Sequence, residues 1–298
     1  GIFIVVWLML NWMESQRPKN EKVAQTFDQS IIQQGEYLVK AADCASCHTT
    51  SDGALFAGGY ELDTQFGKIF SSNITPSLDY GIGRWTADQF YRSITRGVSP
   101  IHKNVYPAMP YPYFINITKA DSDAMYAYFM SIPAIDVAPP ENQLSFPYNE
   151  RELLIGWNDL YLDETPLPAV SHGSSDQWKR GEYLVNVLGH CAMCHTPLGE
   201  FGNVERDKMF QGNTTGRFSA PNITPEGLSY RGWDQKSLEK FFKEGIAPQG
   251  SAFSDMYLVI HNSTSQLTDQ DVSAIVTYLL GEQPPHARII NTESIELE

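Results

Sequence analysis

All four cysteines of the 298-residue chain fall in two copies of one pentapeptide, Cys44-Ala45-Ser46-Cys47-His48 and Cys191-Ala192-Met193-Cys194-His195. C-x-x-C-H is the attachment pattern of c-type haem: two thiols add across the vinyl groups, and the next residue turns an imidazole onto one face of the iron. No cysteine is left over for a disulfide or a free nucleophile. Other uses of C-x-x-C fit less well. A zinc site would need the two pairs to converge on one metal and would leave the adjacent histidines unexplained. A redox dithiol is expected once, on a βαβ pattern, without a histidine at the same place twice. The pattern therefore predicts two covalently bound haem c groups, held by Cys44, Cys47, Cys191 and Cys194, with His48 and His195 on the irons.

The duplication extends well beyond the cysteines. Gly35-Glu36-Tyr37-Leu38-Val39 recurs as Gly181-Glu182-Tyr183-Leu184-Val185, and Asn73-Ile74-Thr75-Pro76 recurs as Asn222-Ile223-Thr224-Pro225. Trp85 and Gly97 stand 12 residues apart, as do Trp233 and Gly245, and Ile117-Thr118 matches Leu267-Thr268. A tandem repeat of a roughly hundred-residue unit follows. Each unit reads as helical, with Thr118 and Thr268 as N-caps followed by acids (Asp121, Asp123; Asp269, Asp271) and an apolar stripe. The expected fold class is all-α: cytochrome c domains at 28–135 and 176–285, a connector at 136–175, a tail at 286–298 and an N-terminal membrane helix. Prolines at 139, 140, 147, 166 and 168 argue against regular structure in the connector, except for a short helix over 153–162.

Haem iron in an electron carrier is usually six-coordinate, and methionine raises its potential relative to a second histidine. Met109 lies 61 residues after His48, and Met256 lies 61 residues after His195; no other methionine pair repeats this way. These two are the expected sulfur ligands. Met109 sits in Tyr106-Pro107-Ala108-Met109-Pro110, where prolines stiffen the backbone that presents the thioether. Methionine is more often core filler than ligand, and Met125, Met130 and Met209 are read that way. His102 has no counterpart in the second unit, and with His172, His190, His261 and His286 it is expected to be solvated or structural. Trp85 and Trp233 are expected in the core or against a haem, with Arg84 and Arg231 as candidate propionate partners.

The net charge of −14 makes nucleic acid an unexpected partner, since phosphate binding needs clustered Lys and Arg. Residues 1–13 are nearly all apolar, shorter than the roughly 20 residues that span a bilayer. No small-x-small cleavage site follows them, so they are read as part of an uncleaved membrane anchor, with Trp12 at the interface. Arg17, Lys19 and Lys22 argue mildly against an external location for that end. Haem attachment outside the cytoplasm outweighs them.

Several motifs resemble those of the cytochrome c subunits of membrane-bound alcohol, gluconate and related sugar dehydrogenases. They are Gly35 to Val39 with its haem motif, Asn73 to Pro76 running on to Gly83-Arg84-Trp85-Thr86, Tyr106 to Tyr111, Gly156-Trp157-Asn158, and Gly189-His190-Cys191 to Pro197. The resemblance covers about residues 30 to 282 and implies an electron-transfer subunit, not an enzyme. Such subunits take electrons from a periplasmic dehydrogenase, of flavin, quinone or molybdenum type, and pass them to membrane quinone or a terminal oxidase. It also implies His48 with Met109 and His195 with Met256 as axial pairs, and a location anchored in the inner membrane, facing the periplasm. Typical members carry three haems, whereas this sequence shows two motifs.

Three alternatives remain open at the level of sequence. A dihaem peroxidase needs one iron with an open or displaceable position, against which two equally spaced methionines argue. A dihaem thiosulfate-oxidising enzyme would carry an unusual ligand at one iron. A haem subunit of a terminal oxidase fits the long connector and the Asn-Ile-Thr-Pro repeats less well.

Overall fold

The computed structural model describes residues 26–101, 103–214 and 219–284. The expected anchor, His102, His286 and the tail lie outside those residues. Among the described residues no helix is long and apolar enough to cross a membrane.

In the first repeat, α1 (Gln29–Ala41) leads into the short haem-motif helix α2 (Cys44–His48). The hairpin β1 (Glu61–Thr64) and β2 (Gly67–Phe70) follows, then α3 (Ala87–Arg96), the strand pair β3 (Val98–Ser99) and β4 (Lys103–Asn104), α4 (Tyr111–Phe114) and α5 (Lys119–Ser131). The connector contributes β5 (Gln143–Leu144) and α6 (Leu153–Tyr161). The second repeat contains α7 (Asp176–Tyr183), α8 (Ala192–His195), α9 (Pro225–Tyr230), α10 (Gln235–Glu244), the pair β6 (Ile246–Ala247) and β7 (Gly250–Ser251), α11 (Ser254–Asn262) and α12 (Asp269–Leu280).

The frame is helical, as expected, but the all-α reading needs correction. Among the described residues three small antiparallel sheets are present, ordered β1-β2-β5, β3-β4 and β6-β7. Their strands are two to four residues long, too short to leave an alternating signature in the sequence. The proline-rich connector also makes regular structure: Gln143 and Leu144 pair with Lys68 and Gly67, adding a strand to the hairpin. Its expected helix is present as α6.

The Gly-Glu-Tyr-Leu-Val repeat is explained by packing. Within each unit the first helix crosses the last, α1 on α5 and α7 on α12, and the glycine lies at the crossing. A Cβ on Gly35 would lie 1.9 Å from the Ala124 carbonyl oxygen, and one on Gly181 would lie 2.0 Å from that of Ala274. Only glycine lets the backbones approach so closely. The last helices begin as expected, with Thr118 Oγ1 accepting from the Asp121 amide and Thr268 Oγ1 from the Asp271 amide. Met125 and Met209 are buried, and Met130 packs against the core.

The tyrosine of the same motif reaches across to the other repeat. Tyr37 donates its hydroxyl to Asp271 Oδ2 at 2.6 Å and accepts from the Thr268 amide at 3.2 Å. Tyr183 does the same in reverse, donating to Asp121 Oδ2 at 2.7 Å and accepting from the Thr118 amide at 3.3 Å. Each repeat thus ties its first helix to the start of the other's last helix. The buried apolar residues of both repeats form one continuous cluster.

One asymmetry arises from a single residue. Nine positions separate Gly35 from Cys44, but ten separate Gly181 from Cys191. The extra residue is absorbed as a π-helical turn over Leu184–Leu188, closed by the Gly189 amide on the Leu184 carbonyl at 2.7 Å.

Gly35→Ala and Gly181→Ala are each expected to lower stability by about 3 kcal/mol, because backbone must move. Gly156→Ala in α6, where a Cβ meets nothing within 4 Å, is expected to raise it by up to about 1 kcal/mol. Urea unfolding of the three variants measures the contrast in sign.

Candidate metal centres

Both haem-motif histidines are anchored in the same way. His48 Nδ1 lies 2.7 Å from the Ser72 carbonyl oxygen, and His195 Nδ1 lies 2.8 Å from that of Pro221. A carbonyl only accepts, so Nδ1 carries the proton and Nε2 keeps its lone pair. Burial lowers both histidine pKa values, outweighing the carbonyl bonds that raise them. A neutral imidazole with Nε2 unpaired and Nδ1 fixed is the form that ligates a metal.

The Asn-Ile-Thr-Pro repeats hold those carbonyls in place. Asn73 Oδ1 accepts from the Thr75 amide at 2.9 Å and its hydroxyl at 2.7 Å; Asn222 accepts from Thr224 at the same two distances. These turns fix the backbone just after Ser72 and Pro221. The Ile74 amide bonds the Phe56 carbonyl and the Ile223 amide that of Phe210, while the Gly58 and Gly212 amides bond the His48 and His195 carbonyls. Gly58 has φ +76° and Gly212 φ +92°. A Cβ on Gly58 would sit 2.5 Å from the Ser72 carbonyl carbon. Sequence reading singled out the repeated tetrapeptide without its role. The signal was its recurrence about 25 residues beyond each histidine.

The remaining groups fit a haem. Burial pushes the thiols of Cys47 and Cys191 up to about 12, with neighbouring carboxyl and thiol groups adding to it. A catalytic dithiol needs the opposite shift. Trp85 Nε1 is buried without a hydrogen-bond partner among the described residues. Met109 and Met256 both pack against the core cluster, as do Cys44 and Cys191. Arg84 lies at the surface, bonded to the Leu78 carbonyl and Asp79. Arg231 instead bonds the Gly227 carbonyl and lies close enough to His195 to help lower its pKa.

The two motifs face each other across the repeat boundary. Asn262, at the end of the helix that carries Met256, donates to Ser46 Oγ of the first motif at 2.9 Å. Ser46 donates to Asp43 Oδ1 at 2.6 Å. Asp43 and His190 precede their respective first cysteines, both with positive φ (51° and 37°). His190 is structural: its ring meets Phe114 edge-on at 5.5 Å, and burial lowers its pKa to about 4 against the opposing bond to the Ala42 carbonyl. His261 is exposed and stacks on Tyr257.

No protein-family model matches the chain. It is similar to the fructose dehydrogenase cytochrome subunit of Gluconobacter japonicus, 39% identical over 251 residues, which are 83% of this chain and 52% of that one. It is similar to the diheme c-type cytochrome of Cereibacter sphaeroides, 35% identical over 253 residues, which are 82% of this chain and 83% of that one. The cytochrome c subunit of the quinone-dependent alcohol dehydrogenase of Gluconobacter oxydans is 34% identical over 266 residues, 86% of this chain and 55% of that one. The chain spans about half the length of the dehydrogenase cytochrome subunits it matches.

Two outcomes are expected from this geometry. Asn222→Ala loosens the turn behind its histidine carbonyl and costs about 1 kcal/mol, and Asn73→Ala, which also removes bonds to the Ile135 and Val137 carbonyls at 2.7 and 3.1 Å, costs about 3 kcal/mol. With a haem bound at each motif, each substitution should also alter the hyperfine-shifted proton resonances of its own haem in the ferric protein and not those of the other. Burial raises the Asp43 carboxyl pKa to about 7, against the opposing bond from Ser46. Such a group favours the fold below its unfolded pKa of about 4, and that benefit is lost as pH rises through about 7. Relative to Asp43→Asn, the wild-type chain should therefore lose on the order of 4 kcal/mol between about pH 4 and pH 8 in urea titrations.

Proposed function

The chain belongs to the c-type cytochromes that include the cytochrome c subunits of alcohol, fructose and gluconate dehydrogenases, and from that premise we propose that it is a dihaem electron-transfer subunit. Its partner is a periplasmic dehydrogenase, and its acceptor is membrane quinone or a terminal oxidase. Residues 1–13 anchor it in the inner membrane, and residues 28–135 and 176–285 each carry one haem. Cys44 and Cys47 hold the first haem and Cys191 and Cys194 the second. His48 with Met109, and His195 with Met256, complete the two irons.

The observation that carries this reading is the duplicated histidine anchor, in which each motif presents a neutral imidazole whose Nε2 has no hydrogen-bond partner among the described residues. The matching methionine at equal spacing makes both sites closed, as suits electron transfer, and neither open, as peroxide chemistry requires. Haems held this way supply one reversible one-electron couple each. The chain's own residues keep the ligand atoms from moving. The Asn-Ile-Thr-Pro turns fix the histidines, and prolines 107 and 110 flank Met109. Little motion at a ligand means little reorganisation when charge changes. The dehydrogenase partner is supported by the names of several relatives, which are cytochrome subunits of fructose, alcohol and gluconate dehydrogenases.

Met109→Ala and Met256→Ala are each expected to abolish one iron–sulfur charge-transfer band and to lower one of two midpoint potentials. The holoprotein should show no turnover of hydrogen peroxide with a reduced donor. Peroxide turnover by the wild-type protein, or a high-spin iron in it, would replace this reading with a dihaem peroxidase.

A further inference from the structure

The two methionine segments are not held alike, and the difference lies in the connector. Met109 is flanked by two tyrosines. Its amide donates to the Tyr106 carbonyl at 2.9 Å, and its own carbonyl accepts from the Tyr111 amide at 2.8 Å. Both tyrosines are gripped by connector residues. Tyr106 donates its hydroxyl to the Tyr148 carbonyl at 2.8 Å, and its ring lies under the Arg151 guanidinium at 4.6 Å. Arg151 and Asn104 exchange side-chain-to-carbonyl bonds at 2.8 and 3.1 Å, so the cation is itself fixed. Tyr111 is fully buried and donates to Asn158 Oδ1 at 2.7 Å; Trp157 meets its ring edge-on at 6.3 Å. Gly97 also lies against the ring, where a Cβ would come within 2.7 Å.

The grip is anchored in the second repeat as well. Trp157 donates its indole N–H to the Phe201 carbonyl at 2.8 Å, and Tyr161 stacks on the Phe201 ring. Among the described residues no such grip holds the Met256 segment. At the positions matching Tyr106 and Tyr111 the second repeat has Phe253 and Leu258, which lack a hydroxyl, and Phe253 is 74% exposed. Met256 sits instead within the first turn of α11.

We propose that Arg151, Trp157 and Asn158 are positioning residues for Met109, so that the connector stiffens the sulfur ligand of the first centre and leaves that of the second on its own helix. This rests on the ligand assignment proposed above. The consequence is functional inequality between two duplicated sites. The first methionine resists displacement, and the second is the one that yields to an incoming ligand.

The test uses the purified ferric holoprotein, with imidazole as the probe and stopped-flow absorbance as the readout. The wild-type protein is expected to show two iron–sulfur bands and two rates of imidazole substitution, the slower belonging to the first haem. Asn158→Ala should accelerate the slow phase about tenfold, the scale of one lost buried hydrogen bond, and leave the fast phase unchanged. Asn158→Asp keeps an acceptor oxygen and should restore it. Tyr111→Phe, which deletes one hydroxyl, should reproduce the acceleration even if Asn158→Ala does not fold. Two wild-type bands with no selective change in the slow phase would overturn the connector's role while sparing the ligand assignment. A wild-type protein without two bands would overturn both.

Discussion

Each haem-motif histidine donates its Nδ1 proton to a backbone carbonyl, at 2.7 Å to Ser72 and 2.8 Å to Pro221, and much of each repeat exists to keep that carbonyl still. The bond selects one tautomer and one ring orientation, and leaves Nε2 as the nitrogen with a lone pair to offer a metal. Behind the carbonyl stands an asparagine turn, and behind the turn a residue with positive φ, Phe56 or Phe210, whose carbonyl accepts the next amide. Backbone conformations of that kind in a bulky residue persist only where surrounding contacts hold them. They occur at matching places in both halves.

Duplication alone would give two beads on a string. What joins them is exchange: Tyr37 reaches Asp271 and Tyr183 reaches Asp121, while Asn262 meets Ser46 at the first haem motif. The same contacts that merge the cores bring the two C-x-x-C-H helices toward one another, close enough for the Cys194 thiol to help raise the Cys47 pKa, and Asp43 beside the first motif is buried. The repeats then diverge where symmetry is not needed. A one-residue insertion becomes a π turn before Cys191, and among the described residues the connector braces the first methionine segment and not the second.

Much of this was legible in the sequence. The haem motifs, the tandem repeat, the threonine caps and the connector helix were all visible as residue types at fixed spacing, because each depends on chemistry local to a few positions. The short strands were not, since two to four residues carry no period and Gln143 pairs with Lys68 only through the folded chain. The cross-repeat tyrosines were also missed. Tyr37 looks like a residue of its own unit, and nothing in one dimension says that its hydroxyl belongs to Asp271. The tetrapeptide Asn73 to Pro76 was noticed as a repeat, yet its purpose lies in the carbonyl of the residue before it, a backbone atom that sequence patterns do not display.

The most direct measurement is the intact mass of the denatured, acid–acetone-extracted protein after treatment with a thiol alkylating reagent. Two covalently retained haems and no alkylated cysteine are expected, since all four thiols would be consumed as thioethers. A polypeptide mass with Cys44, Cys47, Cys191 or Cys194 alkylated, and porphyrin in the extract, would contradict the reading of both motifs.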